Sequence, residues 1–176
     1  MAGSRVELRV PTAADRDELA RLGAESSALH HPWLAAPATP EAVDVWLARA
    51  DGERFVSFVV QRVDDGAIVG VFNLSEIVRG GFQSCYASYY AHAAHAGNGY
   101  MREGLELLLE HVFGAMGLHR VEANVQPENE ASIALVRSAG FRREGLSPRY
   151  LRIGGEWRDH ERWAMTREDW LALGGP

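Results

Sequence analysis

The sequence predicts one α/β domain over residues 1–176, a mixed central sheet of about seven strands flanked by helices. Three observations lead there. Seven segments alternate apolar and polar residues, and segments of helical period separate them. Their order is strands, helix, strand, helix, strands, which a mixed sheet with helices on its faces accommodates. The chain has 176 residues, 47% of them hydrophobic and 24% charged, enough for one well-cored globular unit.

The elements follow in order. "VELRVP" alternates and reads as a first strand. "TAADRDELARLGAES" reads as a helix, with Thr12 as N-cap and Leu19 and Leu22 on one face. "HHPWLAAPATP" is proline-rich and reads as a loop, and a short helix from Pro40 to Ala50 takes proline in its first turn. "RFVSFVVQRV" and "AIVGVFNLS" are strands joined at "DDG", and "SCYASYYAH" is a third. The next helix carries Met101, Leu105, Leu108, Leu109, Val112 and Met116 on one face, with Glu103, Glu106 and Glu110 mostly elsewhere. "RVEANVQ" alternates Val121, Ala123 and Val125 inward against Glu122, Asn124 and Gln126 outward. A helix from about Asn129 to Ala139 has Asn129 as N-cap and Gly140 just past its end. The tail reads as two strands around "IGGEW".

Composition narrows the function. The formal net charge is −6, and no basic stripe is visible, which argues against a nucleic-acid partner. No run approaches 18 consecutive apolar residues, so no membrane helix is expected, and the charged N-terminus reads as no signal peptide. One cysteine, Cys85, rules out an internal disulfide and fits a cytoplasmic, reducing setting. Cys85 reads as a small buried hydrophobe.

The most informative stretch is "YYAHAAHAGNGYMREG", Tyr89 to Gly104. A strand runs through two glycines into a helix, and no lysine or arginine lies between Tyr89 and Met101. Unpaired N–H groups at a helix start hold an anion with main-chain donors, and glycine lets the backbone come close. The run lacks the third glycine of a dinucleotide-binding loop, and the chain has no P-loop string. Loop and helix alone therefore indicate pyrophosphate or a similar anion.

Four motifs in order add a family. "VGVFNLSEIVRGGFQSCYASYY", "AGNGYM", "HRVEANVQPENEAS" and "RYLRIGGEWRDH" resemble the GNAT superfamily of acetyl-CoA-dependent N-acetyltransferases, over nearly the whole chain. Within it the chain resembles the RimJ/RimL group, and "IVRGGF" and "GEWRDH" look more like the RimJ type, the ribosomal-protein alanine acetyltransferases. The resemblance implies two parallel strands, Cys85–His92 and Arg120–Gln126, that splay apart around acetyl-CoA. It implies a pyrophosphate cradle at Ala96, Gly97, Asn98, Gly99, Tyr100 and Met101. Tyr90, Ala91 and His92 match the strand that pairs with the pantetheine arm, and Asn129 matches the asparagine that contacts that arm from the other side. Ala94 stands where the family usually has Gln or Arg, so one side-chain contact is missing.

Acetyl transfer needs a neutral amine, a stabilised oxyanion and a proton near the leaving thiolate. Backbone N–H groups near Tyr90 and Ala91 are the expected oxyanion donors. The tyrosine that many family members place four residues before "GF" is Val136 here. RimL-like enzymes place a serine where Ser132 stands, so Ser132 is the expected partner of the sulfur, and it also sits where a residue reinforces the Asn129 cap. Glu76 in "NLSEIVRGGF" is the candidate base, directly or through water. Trp33, Arg79, Phe82 and Tyr150 are candidate substrate contacts. The "RDH" run, Arg158 to His160, reads as hairpin scaffold, and no metal is expected because one Asp-His pair has too few ligands. The expected partners are acetyl-CoA and an amine acceptor, with a homodimer left open. A protein or peptide N-terminus leads as acceptor. A small amine such as an antibiotic or polyamine, and an acyl-CoA sensor without turnover, stand as alternatives.

Overall fold

The computed structural model describes residues 4–176. Its strands are β1 (Val6–Arg9), β2 (Val56–Arg62), β3 (Ile68–Val78), β4 (Ser84–Ala91), β5 (Arg120–Val125), β6 (Arg142–Ile153) and β7 (Glu156–Thr166). They form one sheet in the order β1-β2-β3-β4-β5-β7-β6. β4 and β5 pair in parallel, and the other neighbours pair antiparallel. The helices are α1 (Arg16–Glu25), α2 (Ser27–His30), α3 (Pro40–Ala48), α4 (Tyr100–Glu110), α5 (Glu130–Ser138) and α6 (Arg167–Ala172).

Both faces of the sheet are covered. On one, Leu105, Leu108, Leu109 and Val112 of the α4 segment and Val136 of α5 pack on Phe72, Val121 and Trp163. On the other, Leu19 and Leu22 of α1 and Val43 and Trp46 of α3 pack on Val59, Ile68 and Val71. This two-sided cover corrects the outward reading of Glu122 and Gln126, which are 8% and 7% exposed. Glu122 accepts from Arg120 Nε at 2.9 Å, and Gln126 Nε2 donates to the Trp33 carbonyl at 3.0 Å, so each buried polar group has a partner. His30 also departs from the loop expected around "HHPW", because it closes the helical turn α2. Helix α6 has no counterpart in the sequence reading. It is six residues long, and its signal is the Thr166–Asp169 capping box.

Two close approaches fix α4 on the sheet. A Cβ on Gly70 of β3 would stand 2.2 Å from the Met101 sulfur, so the first turn of α4 rests on bare backbone. One on Gly104 would stand 3.0 Å from the Val60 methyls. The start of α4 is thereby held beside the end of β4.

The parallel pair then opens. β4 and β5 are in register only at Ser84–Arg120, Cys85–Val121 and Tyr86–Glu122. Beyond that, β4 stays paired to β3 as far as Ala91–Gly70, and β5 to β7 as far as Val125–Glu161. A cleft is left between the two strand ends. Arg120 clamps its closed end, bonding Glu122 and the Glu144 carboxylate of β6. The hydrogen bond from Arg120 holds the Glu144 carboxyl below its usual range. A depressed carboxyl stabilises the fold above its unfolded pKa, near 4.3. That contribution is lost as pH falls through the lower folded value. Arg120→Met is therefore expected to cost about 1–2 kcal/mol at pH 7 in urea titrations, less than breaking a fully buried pair. The difference from the wild type should shrink as the pH falls below 4.

Candidate active site

The glycine run leads from β4 into α4. Gly97 and Gly99 have φ of 79° and 82°, a left-handed backbone that costs a side-chain-bearing residue about 1–2 kcal/mol. The N–H groups of Gly97, Asn98, Gly99, Tyr100 and Met101 have no hydrogen-bond partner among the described residues. Five donors at the positive end of α4 suit an anion. The Asn98 side chain folds back on the His95 and Ala96 carbonyls at 3.1 and 3.3 Å.

A basic residue does reach this loop, from 93 positions away in the chain. Arg5 Nη2 donates to the Asn98 carbonyl at 3.0 Å, and the same guanidinium is ion-paired with Glu103. In a planar trans peptide the carbonyl and the following N–H point opposite ways. Arg5 therefore turns the Gly99 N–H away from itself, so it shapes the cradle while Glu103 occupies its charge.

Strand alternation decides which main-chain groups of β4 line the cleft. His92 N–H donates to the Val69 carbonyl of β3, so His92 and Tyr90 turn their N–H groups toward β3. Tyr89 and Ala91 turn theirs toward β5, into the gap. The N–H groups that open into the gap are thus those of Tyr89 and Ala91, while that of Tyr90 is turned toward β3. The His92 ring is engaged by Glu25 at 3.0 Å. His30 Nε2 donates to the Ala91 carbonyl at 2.8 Å, and its ring stands edge-on to Tyr90.

Ser132 is in the cleft. Asn129 Oδ1 accepts from the Ser132 N–H at 3.1 Å, so the cap and the serine are both real features of the start of α5. The Ser132 hydroxyl lies 2.7 Å from the Tyr89 hydroxyl. Burial pushes the Tyr89 phenol up to about 12. Val136, where the family tyrosine would stand, is 0% exposed and belongs to the core. The Tyr89 phenol of β4 stands beside Ser132, a contact the sequence reading did not foresee. The Cys85 thiol is buried and pushed up to about 12, so it is no nucleophile.

The candidate substrate residues divide. Trp33 lines a cavity of about 400 Å³ with Pro32, Gln126, Glu128, Trp157 and Asp159. Tyr150 lies beside Tyr86, whose phenol its neighbourhood and burial push up to about 12. Arg79 instead donates to the Met116 carbonyl, and Phe82 is 64% exposed in the β3–β4 turn. Glu76 does not join Ser132. It sits at a bulge with φ 47°, its carboxylate 66% exposed and 3.7 Å from Arg54. Its neighbour Ser75 pairs with Tyr86, three residues, or roughly 10 Å of strand, from Tyr89.

The site is thus a splayed parallel pair with main-chain donors turned into it, followed by a helix whose first N–H groups are unpaired. The chain belongs to the GNAT acetyltransferase family, whose domain matches residues 5–142. It is 39% identical over 107 residues to the [Ribosomal protein uS5]-alanine N-acetyltransferase of Escherichia coli, covering 61% of this chain and 55% of that protein. It is 32% identical over 121 residues to the probable N-acetyltransferase YjcK of Bacillus subtilis, covering 69% of this chain and 67% of that one. Among solved structures, Mycobacterium smegmatis RimJ in complex with CoA-disulfide superposes with a TM-score of 0.84 at 28% identity, over 97% of this chain and 90% of that chain. The chain thus spans little more than half the length of the first of these relatives.

Proposed function

We propose that the protein transfers acetyl from acetyl-CoA directly to the N-terminal α-amine of a protein or peptide. The observation that carries this reading is the Trp33–Trp157 cavity beside the end of β5, with Gln126 at its floor and Trp157 at its rim. Trp157 is 61% exposed, as suits a wall that receives an extended chain. The relatives named above support the same class of acceptor.

The residues present fit acetyl-CoA. The five free N–H groups at the head of α4 match a pyrophosphate. Ala91 and Tyr89 offer N–H donors to a thioester carbonyl in the gap. Ser132, backed by Tyr89, offers a hydroxyl to the leaving sulfur. The acceptor brings part of the chemistry. An α-amine of pKa about 7.7–8.0 is roughly one-tenth neutral at pH 7, whereas a lysine amine near 10.4 is neutral only about four times in ten thousand. A site with weak base assistance therefore favours N-termini.

The test is an acceptor screen that follows thiol release from acetyl-CoA. Peptides beginning with alanine or serine are compared with spermidine and aminoglycosides. Peptide kcat/KM is expected to exceed that of the small amines by at least about tenfold. Turnover of small amines with none of any peptide would overturn the reading.

A further inference from the structure

We propose that the Trp33–Trp157 cavity is a subsite for a cationic side chain, lysine or arginine, at the second or third residue of a peptide acceptor. This inference rests on the N-terminal reading above and says which peptides the site prefers.

The charge of the cavity is one-sided. Glu128 and Asp159 both line it, and neither carboxylate has an ion-pair partner among the described residues. One oxygen of Asp159 accepts from the Arg149 N–H at 2.8 Å, which leaves the other open. Arg158 is the cation on the wall, and it stands 2.6 Å from Glu156, its own counter-ion. The wall therefore keeps two carboxylates in excess. Between them lies a further acceptor. Gln126 is 7% exposed, and its Nε2 is engaged by the Trp33 carbonyl at 3.0 Å. Its Oε1 takes no hydrogen bond from the described residues, and unlike the Asn124 oxygen it is not sealed from solvent.

These groups select a donor-rich cation. Carboxylate and amide oxygens only accept, whereas a lysine ammonium carries three N–H donors and an arginine guanidinium five. The two indole rings suit the rest of such a side chain. Their faces attract a cation, and its methylene stem packs on apolar ring surface. An acidic side chain would meet like charge, and an apolar one would leave the oxygens unpaired. The formal net charge of −6 draws the same kind of ligand to the protein.

The cavity is tied to both strand ends that border the gap. Gln126 follows the last paired residue of β5, and its carbonyl accepts from the Asn129 N–H at 2.9 Å in the turn that opens α5. Ser132 lies in the first turn of that helix. The Trp33 N–H donates to the His30 carbonyl at 2.8 Å, and the His30 ring is bonded to the Ala91 carbonyl at the end of β4. The terminal amine has to reach the thioester neutral, so the cation in the cavity belongs to a residue further along. An extended chain advances about 3.3–3.6 Å per residue, which brings a long side chain of the second or third residue there. That side chain keeps its protons and serves as a handle, while acetyl goes to the α-nitrogen.

Three hexapeptides test this. Each begins with alanine and carries lysine, glutamine or glutamate at both positions two and three. Binding is read first, by tryptophan fluorescence of the protein saturated with coenzyme A, and acetylation second, by thiol release. The lysine peptide is expected to exceed the glutamine peptide about fivefold to twentyfold in affinity and in kcat/KM, with the glutamate peptide below both. The advantage should shrink as salt rises. Glu128 is exposed, so its substitution leaves the core intact. Glu128→Gln is expected to cut the lysine preference to about threefold or less, and Glu128→Arg to abolish or reverse it. Preferential binding of the lysine peptide without acetylation of any peptide supports the subsite and counts against the N-terminal reading alone. Equal binding of the three peptides overturns the subsite, whatever they do as acceptors. So does an undiminished preference in Glu128→Arg, which would place the cation elsewhere.

Discussion

Gly99→Val is expected to weaken acetyl-CoA binding by about tenfold to a hundredfold. The native φ of 82° lies where a Cβ is strained, at a cost of roughly 1–3 kcal/mol. The added Cβ would also stand 3.2 Å from Arg5 Nη2, which is held by Glu103 and Asn98 and has little room to yield. The backbone can relieve both strains only by rotating out of the left-handed region, and that rotation carries the Gly99 and Tyr100 N–H groups away from the anion. Gly97→Ala gives a graded control. Its φ is 79°, yet nothing lies within 4 Å of the new Cβ, so only the torsional cost of about 1 kcal/mol remains. Thermal shifts with and without acetyl-CoA read both variants, because a ligand of the native state raises apparent stability in proportion to RT ln(1 + [L]/Kd). An undiminished shift in Gly99→Val would mean that the phosphate end is held elsewhere.

Ser132→Ala and Tyr89→Phe are each expected to lower kcat about a hundredfold, and the double variant little more than either alone. The two hydroxyls are 2.7 Å apart and act as a unit, so their losses do not add. When the phenol donates to Ser132 Oγ, the serine proton is left to face the sulfur. The pH dependence follows from the raised phenol. A donor whose pKa is pushed up to about 12 keeps its proton through the whole working range and is lost only above it. The kcat profile should therefore rise as the acceptor amine deprotonates and then stay level to about pH 10. A fall between pH 8 and 9 would mean that another group supplies the proton. Additive losses in the double variant would mean that the hydroxyls act independently.

Much of this was readable along the chain. The α4 face was legible because Leu105, Leu108, Leu109 and Val112 recur at helical spacing, and all four are at most 2% exposed. The cradle was legible because its donors are main-chain and its glycines are local. The Asn129 cap was legible because it spans three residues. The errors share one cause. Glu122 and Gln126 look like an outward face until Arg120 and the Trp33 loop cover them. The bulge that turns Glu76 toward solvent and Arg54, and the contact of Tyr89 with Ser132, are likewise invisible to a short window of residues.

The sequence by itself determined the family, the order of strands and helices, and the glycine turn that opens α4 with its first N–H groups unpaired. These depend on periodicity, caps and turn residues, which act over a few positions. Only the tertiary structure decided that Arg5 reaches the glycine loop and that the Tyr89 hydroxyl meets Ser132. Arg5 and Asn98 are 93 residues apart, and Tyr89 and Ser132 are 43 apart. Such pairs are set by which strands lie side by side and where the β4–β5 pairing stops, a property of the whole sheet that no short window of residues encodes.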